Sequence, residues 1–389
     1  MNCQKHLFKL PNDQIYLNCA RRGPQSKKLE ALGKAAISQQ CDPNSYSNAD
    51  FFNAPRQIKE AFADLMEIAD PNRVAIIPSA SYGLANVANN LNLKKGEKII
   101  VVGAQFPSNM YAWMDEVDKA GGILKIVEPP TLENRGQNWN EAILAAIDDQ
   151  TRMVALAHVH WSDGTLFDLK NIRAKTKQHG ALLVVDGTQS IGALPFSIKE
   201  IQPDALITCS YKWMLGPYSL GVAYYGEAFD NGEPIEKNWI NRLNSDDFTN
   251  LANYQPLYRP KANRYSMGEQ SNFILSPLLL AAIGQLKTWG VANIQQYCSD
   301  ITKNAVAEWR DMGLYIEADN WRGHHLFGIR LNDKFDGTKL KEALTKANIS
   351  VSFRGTAMRV SPNIYNDESE IKALLNCFKK ARNNSHFVI

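Results

Sequence analysis

The chain has 389 residues, 44% of them hydrophobic and 21% charged, with a formal net charge of +3. That length exceeds the roughly 250–300 residues at which one core stops growing, so two domains are expected. The small charge, with acids scattered among the Lys and Arg residues, argues against a nucleic-acid partner, and no run of about 18 apolar residues argues for a membrane span.

The opening stretch MNCQKHLFKLPND lacks the apolar segment of a secretory signal, which points to the cytoplasm. Six cysteines (Cys3, Cys19, Cys41, Cys209, Cys298, Cys377) stand far apart without a CxxC pair, which disfavours a zinc site or a disulfide framework. From about residue 54 the pattern alternates. APRQIKEAFADLMEIAD carries Ile58, Phe62, Leu65 and Met66 at helical spacing and stops before Pro71.

Apolar runs follow at regular intervals: VAII at 74, KIIVV at 98, ILKIV at 123, MVALA at 153, ALLVVD at 181, ALIT at 205 and LGVAYY at 220. Helix-like stretches at 108–120, 140–147 and 168–179 lie between them. Strands alternating with amphipathic helices predict an α/β fold, a mostly parallel sheet covered on both faces. The stretch 226–264 is rich in Asn, Asp and Pro and reads as an irregular connection. Beyond about residue 256, long helical patterns (276–289, 291–312, 366–382) and the short strands HHLFGIRL and AMRVS suggest a smaller α+β domain.

Open parallel sheets bind ligands outside the carboxyl ends of their strands. After VAII comes PSASYGL, where Ala80 and Ser81 open a helix whose free N–H groups suit a phosphate, or where the serines serve as a plain cap. After KIIVVGA comes QFPSN, with Phe106 ahead of Pro107 as an aromatic plate or a core residue. HVHWSDG carries His158 and His160, without a third ligand at metal-binding spacing.

ALLVVDGTQS runs a strand into Asp186, with Gln189 three residues on, and Asp186 reads either as a helix cap or as a functional carboxylate. ALITCSYKWMLGP places Lys212 just past a strand, a position also open to a solvated surface lysine. One chemistry uses all of these together. Pyridoxal 5'-phosphate binds a lysine as a Schiff base, and a carboxylate beside its pyridine nitrogen keeps that nitrogen protonated. No GxGxxG or GxxxxGK[ST] follows any strand, so a nucleotide site is disfavoured.

VVDGTQSIGA, CSYKW and MRVSP with its trailing YND resemble the class V aminotransferase family of fold type I pyridoxal-phosphate enzymes, which includes cysteine desulfurases, isopenicillin N epimerase and kynureninases. The resemblance extends from YLNCARRGP at 16 to the stretch starting at 358. It implies an N-terminal segment (1–22) associated with the small domain, a large cofactor-binding domain (23–260) and a small C-terminal domain (261–389).

It further implies that Lys212 is the Schiff-base lysine, Asp186 the partner of the pyridine nitrogen, and Gln189 a hydrogen bond to the ring's phenolic oxygen or the phosphate. Ala80 and Ser81 resemble the phosphate loop, and Tyr211, in a CSYK stretch similar to that of kynureninases, reaches the phosphate. Phe106 stacks on the ring, and His160 falls near it. Arg359 grips the substrate α-carboxylate, and YSMGEQSN (265–272) sends a group to a neighbour's phosphate in a homodimer.

One departure concerns cysteine. Desulfurases carry a nucleophilic cysteine on a loop shortly before that arginine, whereas ISVSFRGTAMR has a short connection and none. The implied activity is an aminotransferase acting on an amino acid, with a kynureninase-like lyase, an epimerase or a catalytically silent relative as alternatives.

Overall fold

The computed structural model describes residues 1–382. The expected C-terminal domain runs past that limit, and its residues 383–389 lie outside the described ones.

All seven apolar runs form strands of one sheet: β2 (Val74–Ile77), β3 (Lys98–Val102), β4 (Ile123–Val127), β5 (Thr151–Ala157), β6 (Leu182–Asp186), β7 (Ala205–Cys209) and β8 (Gly221–Tyr225). Their order across the sheet is β2-β8-β7-β6-β5-β3-β4. The contacts β3–β4, β3–β5, β5–β6 and β6–β7 are parallel, while β8 runs antiparallel to both β2 and β7. Strands β2, β3 and β7 are buried along their whole length. Helices on both faces remove them from water, and for that reason their sequences read as continuous apolar runs rather than alternating ones.

The segment 226–264 is irregular, with short 3-10 turns at Glu227–Phe229, Phe248–Asn250 and Lys261–Tyr265. Beyond it lie the helices Leu275–Trp289, Val291–Asp311, Gly337–Lys346 and Glu368–Ala381. A small antiparallel sheet follows the order β11-β12-β9, built from β9 (Phe327–Arg330), β11 (Ser352–Arg354) and β12 (Ala357–Val360). Near the start of the chain, β1 (Ile15–Tyr16) pairs in parallel with β10 (Ile349–Ser350), tying the N-terminal segment to the C-terminal part.

The helix predicted from residue 54 starts earlier, at Asp50, and contains Pro55. Proline lacks the N–H that would bond to the carbonyl four residues back. The Ser271 hydroxyl donates to that carbonyl, Phe51 O, at 2.7 Å.

Candidate active site

Consecutive strand ends converge on a cavity of about 350 Å³ lined by residues following β2, β3, β5, β6 and β7. That volume suits a small cofactor. Past β2, Ser79 caps the helix Ala80–Asn89, and its hydroxyl accepts the Tyr82 N–H at 3.2 Å. The N–H groups of Ala80 and Ser81 have no partner within the helix, as first-turn donors cannot. Gly83 lets this helix sit close on β7, since a Cβ there would come within 2.9 Å of the Ile207 side chain.

Lys212 lies three residues beyond β7 in a tight turn. Ser210 N–H donates to Leu220 O at 3.0 Å, and the Ser210 hydroxyl donates to Pro217 O at 2.6 Å. The N-terminal segment presses on this turn, with Gly23 N–H donating to Tyr211 O at 2.9 Å. Lys212 is only 7% exposed, and no acid forms an ion pair with it among the described residues. Its Nζ lies 5.6 Å from the centroid of the Phe106 ring and 5.7 Å from that of Tyr211.

Burial pushes the Lys212 ammonium below its ordinary value; Cys209 and Asp186 oppose that shift, and Arg359 and Arg354 add to it. Burial likewise raises the Asp186 carboxyl, against a hydrogen bond from Thr188 N–H at 2.9 Å and the charge of Lys212. A desolvated amine near a desolvated carboxylate is the setting of a nucleophilic lysine.

Phe106 is 42% exposed, so it is not a core residue, and Trp161 meets it edge-on with centroids 5.6 Å apart. Tyr211 lines the cavity and packs on Tyr218 at 4.6 Å. Gln189 also lines it, but protein partners already engage both ends of its amide: Nε2 donates to Ala20 O at 3.1 Å and Oε1 accepts from Trp213 Nε1 at 2.9 Å. One amide hydrogen of Gln189 is left for a ligand.

His160 is not at the cavity. Its Nδ1 is 2.9 Å from the Ser162 hydroxyl, and its ring packs against Trp139 at 5.1 Å. Past β5 the chain bends at residue 158, bridges Val159 to Leu166 and turns at 161–163. Ala157 and Trp161 line the cavity, the latter from that turn, while His158 and His160 do not.

Arg359, on β12, is 2% exposed. Its Nη1 donates to Trp161 O at 2.7 Å, and its Nε is buried without a partner. It does not line the cavity itself but reaches it through Trp161. Trp161, Gln105, Thr188, Cys209 and Tyr218 also line the cavity and were not singled out as site residues from the sequence. The same strand-end rule that found Phe106 and Asp186 covers Gln105 and Thr188.

A larger groove of about 850 Å³ includes His158, Phe196 and Trp321. Its lysines are neutralised within it, Lys287 by Asp64 and Lys170 by Glu200. Among the described residues no group of three or more His, Cys, Asp or Glu side chains could hold a metal.

Pyridoxal phosphate fits the groups present. Buried Gln105 Nε2 lacks a hydrogen-bond partner at the cavity wall, the first-turn N–H groups of Ala80 and Ser81 offer an anion site, and Lys212 and Asp186 supply the amine and the carboxylate. A site of this make-up at the strand ends of a mostly parallel sheet is that of a pyridoxal-phosphate-dependent enzyme. The chain belongs to the aminotransferase class-V family, whose model matches residues 44–374.

It is 26% identical over 352 residues to the "uncharacterized aminotransferase YcbU" of Bacillus subtilis, covering 90% of each chain. A kynureninase of Burkholderia mallei matches at 25% over 221 residues, 54% of this chain and 50% of the relative. The crystal structure of the cysteine desulfurase CsdA from Escherichia coli superposes with a TM-score of 0.81 at 16% identity, covering 97% of each chain. That likeness is one of fold.

Proposed function

We propose that the protein moves an amino group between an amino acid and a 2-oxo acid, with Lys212 holding the cofactor. The observation that carries this reading is the desolvated Lys212 amine, without an acid partner, between Asp186 and the exposed ring of Phe106. When bound, pyridoxal phosphate supplies an aldehyde that condenses with amines and a ring that withdraws electrons from Cα. Asp186 would hold a proton on the ring nitrogen, because a buried anion favours the protonated form of a neighbour.

The Ala80 and Ser81 N–H groups and the Ser81 hydroxyl would bind the phosphate, and Phe106 would stack on the ring. Lys212 Nζ would take the proton from Cα and return it, with burial lowering its basicity below that of a free lysine. Arg359 orients the substrate through its carboxylate, a match of planar groups.

Desulfurase activity is not part of this proposal. The turn between β11 and β12 is only Gly355 and Thr356, and it has no cysteine. Cys209 lies on the cavity floor at the end of β7, and burial raises its thiol above the ordinary value. Cys19 is buried behind Lys212, its thiol pushed up to about 11. Neither cysteine is placed as a mobile thiolate.

We also propose a homodimer in which the 265–272 segment approaches the partner's cofactor site. The test of function is a panel of amino acids with a 2-oxo acid acceptor, read for new 2-oxo acid, ammonia and inverted enantiomer. Amino-group exchange supports the proposal. Ammonia or racemisation without exchange would replace it by a lyase or an epimerase, which share the first proton transfer.

A further inference from the structure

The arginines around the small sheet are of two sorts. Arg135 and Arg330 share Asp163, at 3.3 and 2.7 Å, and Arg322 pairs with Asp319 at 2.7 Å. Arg354 and Arg359 have no ion-pair partner among the described residues. Arg354 Nη1 donates only to the carbonyl of Phe353, and its guanidinium lies 5.6 Å from the centroid of the Trp161 ring. Arg359 bonds to Trp161 O and keeps a buried, unpartnered Nε.

The two side chains leave the same face of the sheet. In the β11–β12 register Ser352 faces Arg359 and Arg354 faces Ala357. Opposed residues in an antiparallel pair share a face, as do residues two apart on one strand, and such diagonal neighbours stand roughly 7–8 Å apart. Both guanidiniums therefore flank Trp161, which lines the cavity.

Their charges also act on each other. Arg359 is pushed down to about 10, first by burial and next by the charge of Arg354. Two neighbouring cations, one fully buried and neither with a carboxylate, are an arrangement that an anionic ligand stabilises. The adjoining turn adds exposed Arg21 and Arg22, whose charges reach Tyr16 as Arg359 does.

We propose that the substrate carries two carboxylates, Arg359 taking the one on Cα and Arg354 the one at the end of the side chain. The substrate class is then an acidic amino acid and the matching 2-oxo diacid. The inference rests on the amino-acid reading above, and its test separates the two.

The experiment compares kcat/KM for aspartate, glutamate and 2-aminoadipate with asparagine, glutamine and norleucine, in the wild-type holoenzyme and in Arg354→Gln. Alongside it, melting temperature is read with succinate and glutarate against butyrate. One acid should exceed its neutral counterpart by about tenfold or more, and Arg354→Gln should cut that ratio by about ten- to a hundredfold, as loss of a charged hydrogen bond does. One diacid should raise the melting temperature of the wild type more than butyrate does, and lose that excess in Arg354→Gln.

Equal turnover of acids and neutral amino acids, or a ratio unmoved by Arg354→Gln, overturns the proposal. If diacid stabilisation depends on Arg354 but no amino acid is turned over, the anion site stands and the aminotransferase reading falls. Turnover of neutral amino acids with no diacid effect means the reverse.

Discussion

Asp186 and Thr188 meet at 2.9 Å beside a lysine without an acid partner, and removing one charge there separates cofactor binding from chemistry. Asp186→Asn should keep the fold but lower turnover by orders of magnitude, because an amide cannot hold a proton on the ring nitrogen; near-normal turnover would make Asp186 a cap only. Arg359→Ala should cost about 1.5–3 kcal/mol in kcat/KM for an amino acid and nothing for the matched amine. Equal losses for both would mean that Arg359 is structural.

A third prediction concerns Lys59, which is buried and donates to Asn263 Oδ1 at 2.8 Å. Burial, helped by the Arg259 charge, pushes its ammonium down to about 7. An unfolded lysine titrates near about 10.4. Between those values the unfolded chain holds a proton that the folded chain has released, so this group makes stability rise with pH across that window. Below the window both states are protonated and the destabilisation is at its full size.

Lys59→Met should flatten the rise by up to about 1.4 kcal/mol per pH unit. Urea unfolding of both proteins at pH 7 and pH 9 measures it, and parallel changes would contradict it. At this scale the sequence pointed to Lys212, Asp186 and Phe106 because each stands at or just after the end of a recognisable strand. It missed Trp161 by one residue, because the chain bends after β5 and turns at 161–163 instead of continuing the strand.

The central strands were legible because burial on both faces leaves a continuous apolar run, which turns and helices punctuate clearly. Other elements were not. The helix Lys27–Gln39 buries only Leu29 and Ala36, so its sequence shows little apolar periodicity. Strands β1 and β10, two residues each, exist through their pairing with one another rather than through local preference. The early start of the helix at Asp50 was hidden by Pro55, a helix breaker tolerated because a distant serine meets its orphaned carbonyl.

Ser271→Ala should therefore destabilise the protein by about 1 kcal/mol, measured by chemical unfolding, whereas an unchanged midpoint would show that water replaces the hydroxyl. The turn holding Lys212 is shaped from outside. A Cβ on Gly23 would stand 2.2 Å from Lys212 O, so Gly23→Ala must displace the turn or the N-terminal segment.

For the whole molecule, the resemblance read from VVDGTQSIGA, CSYKW and MRVSP agrees with a family match over residues 44–374 and with a three-dimensional likeness spanning 97% of the chain. Substrate preference was not legible, because it depends on where β11 and β12 aim two arginines, a matter of register rather than of motif. No helix among the described residues is long and apolar enough to cross a membrane. The central claim is that Lys212 holds the cofactor. Borohydride reduction of the holoenzyme followed by peptide mass spectrometry should find the pyridoxyl group on Lys212 alone, with none retained by Lys212→Ala; a label on another lysine, or full labelling of that variant, would contradict the account.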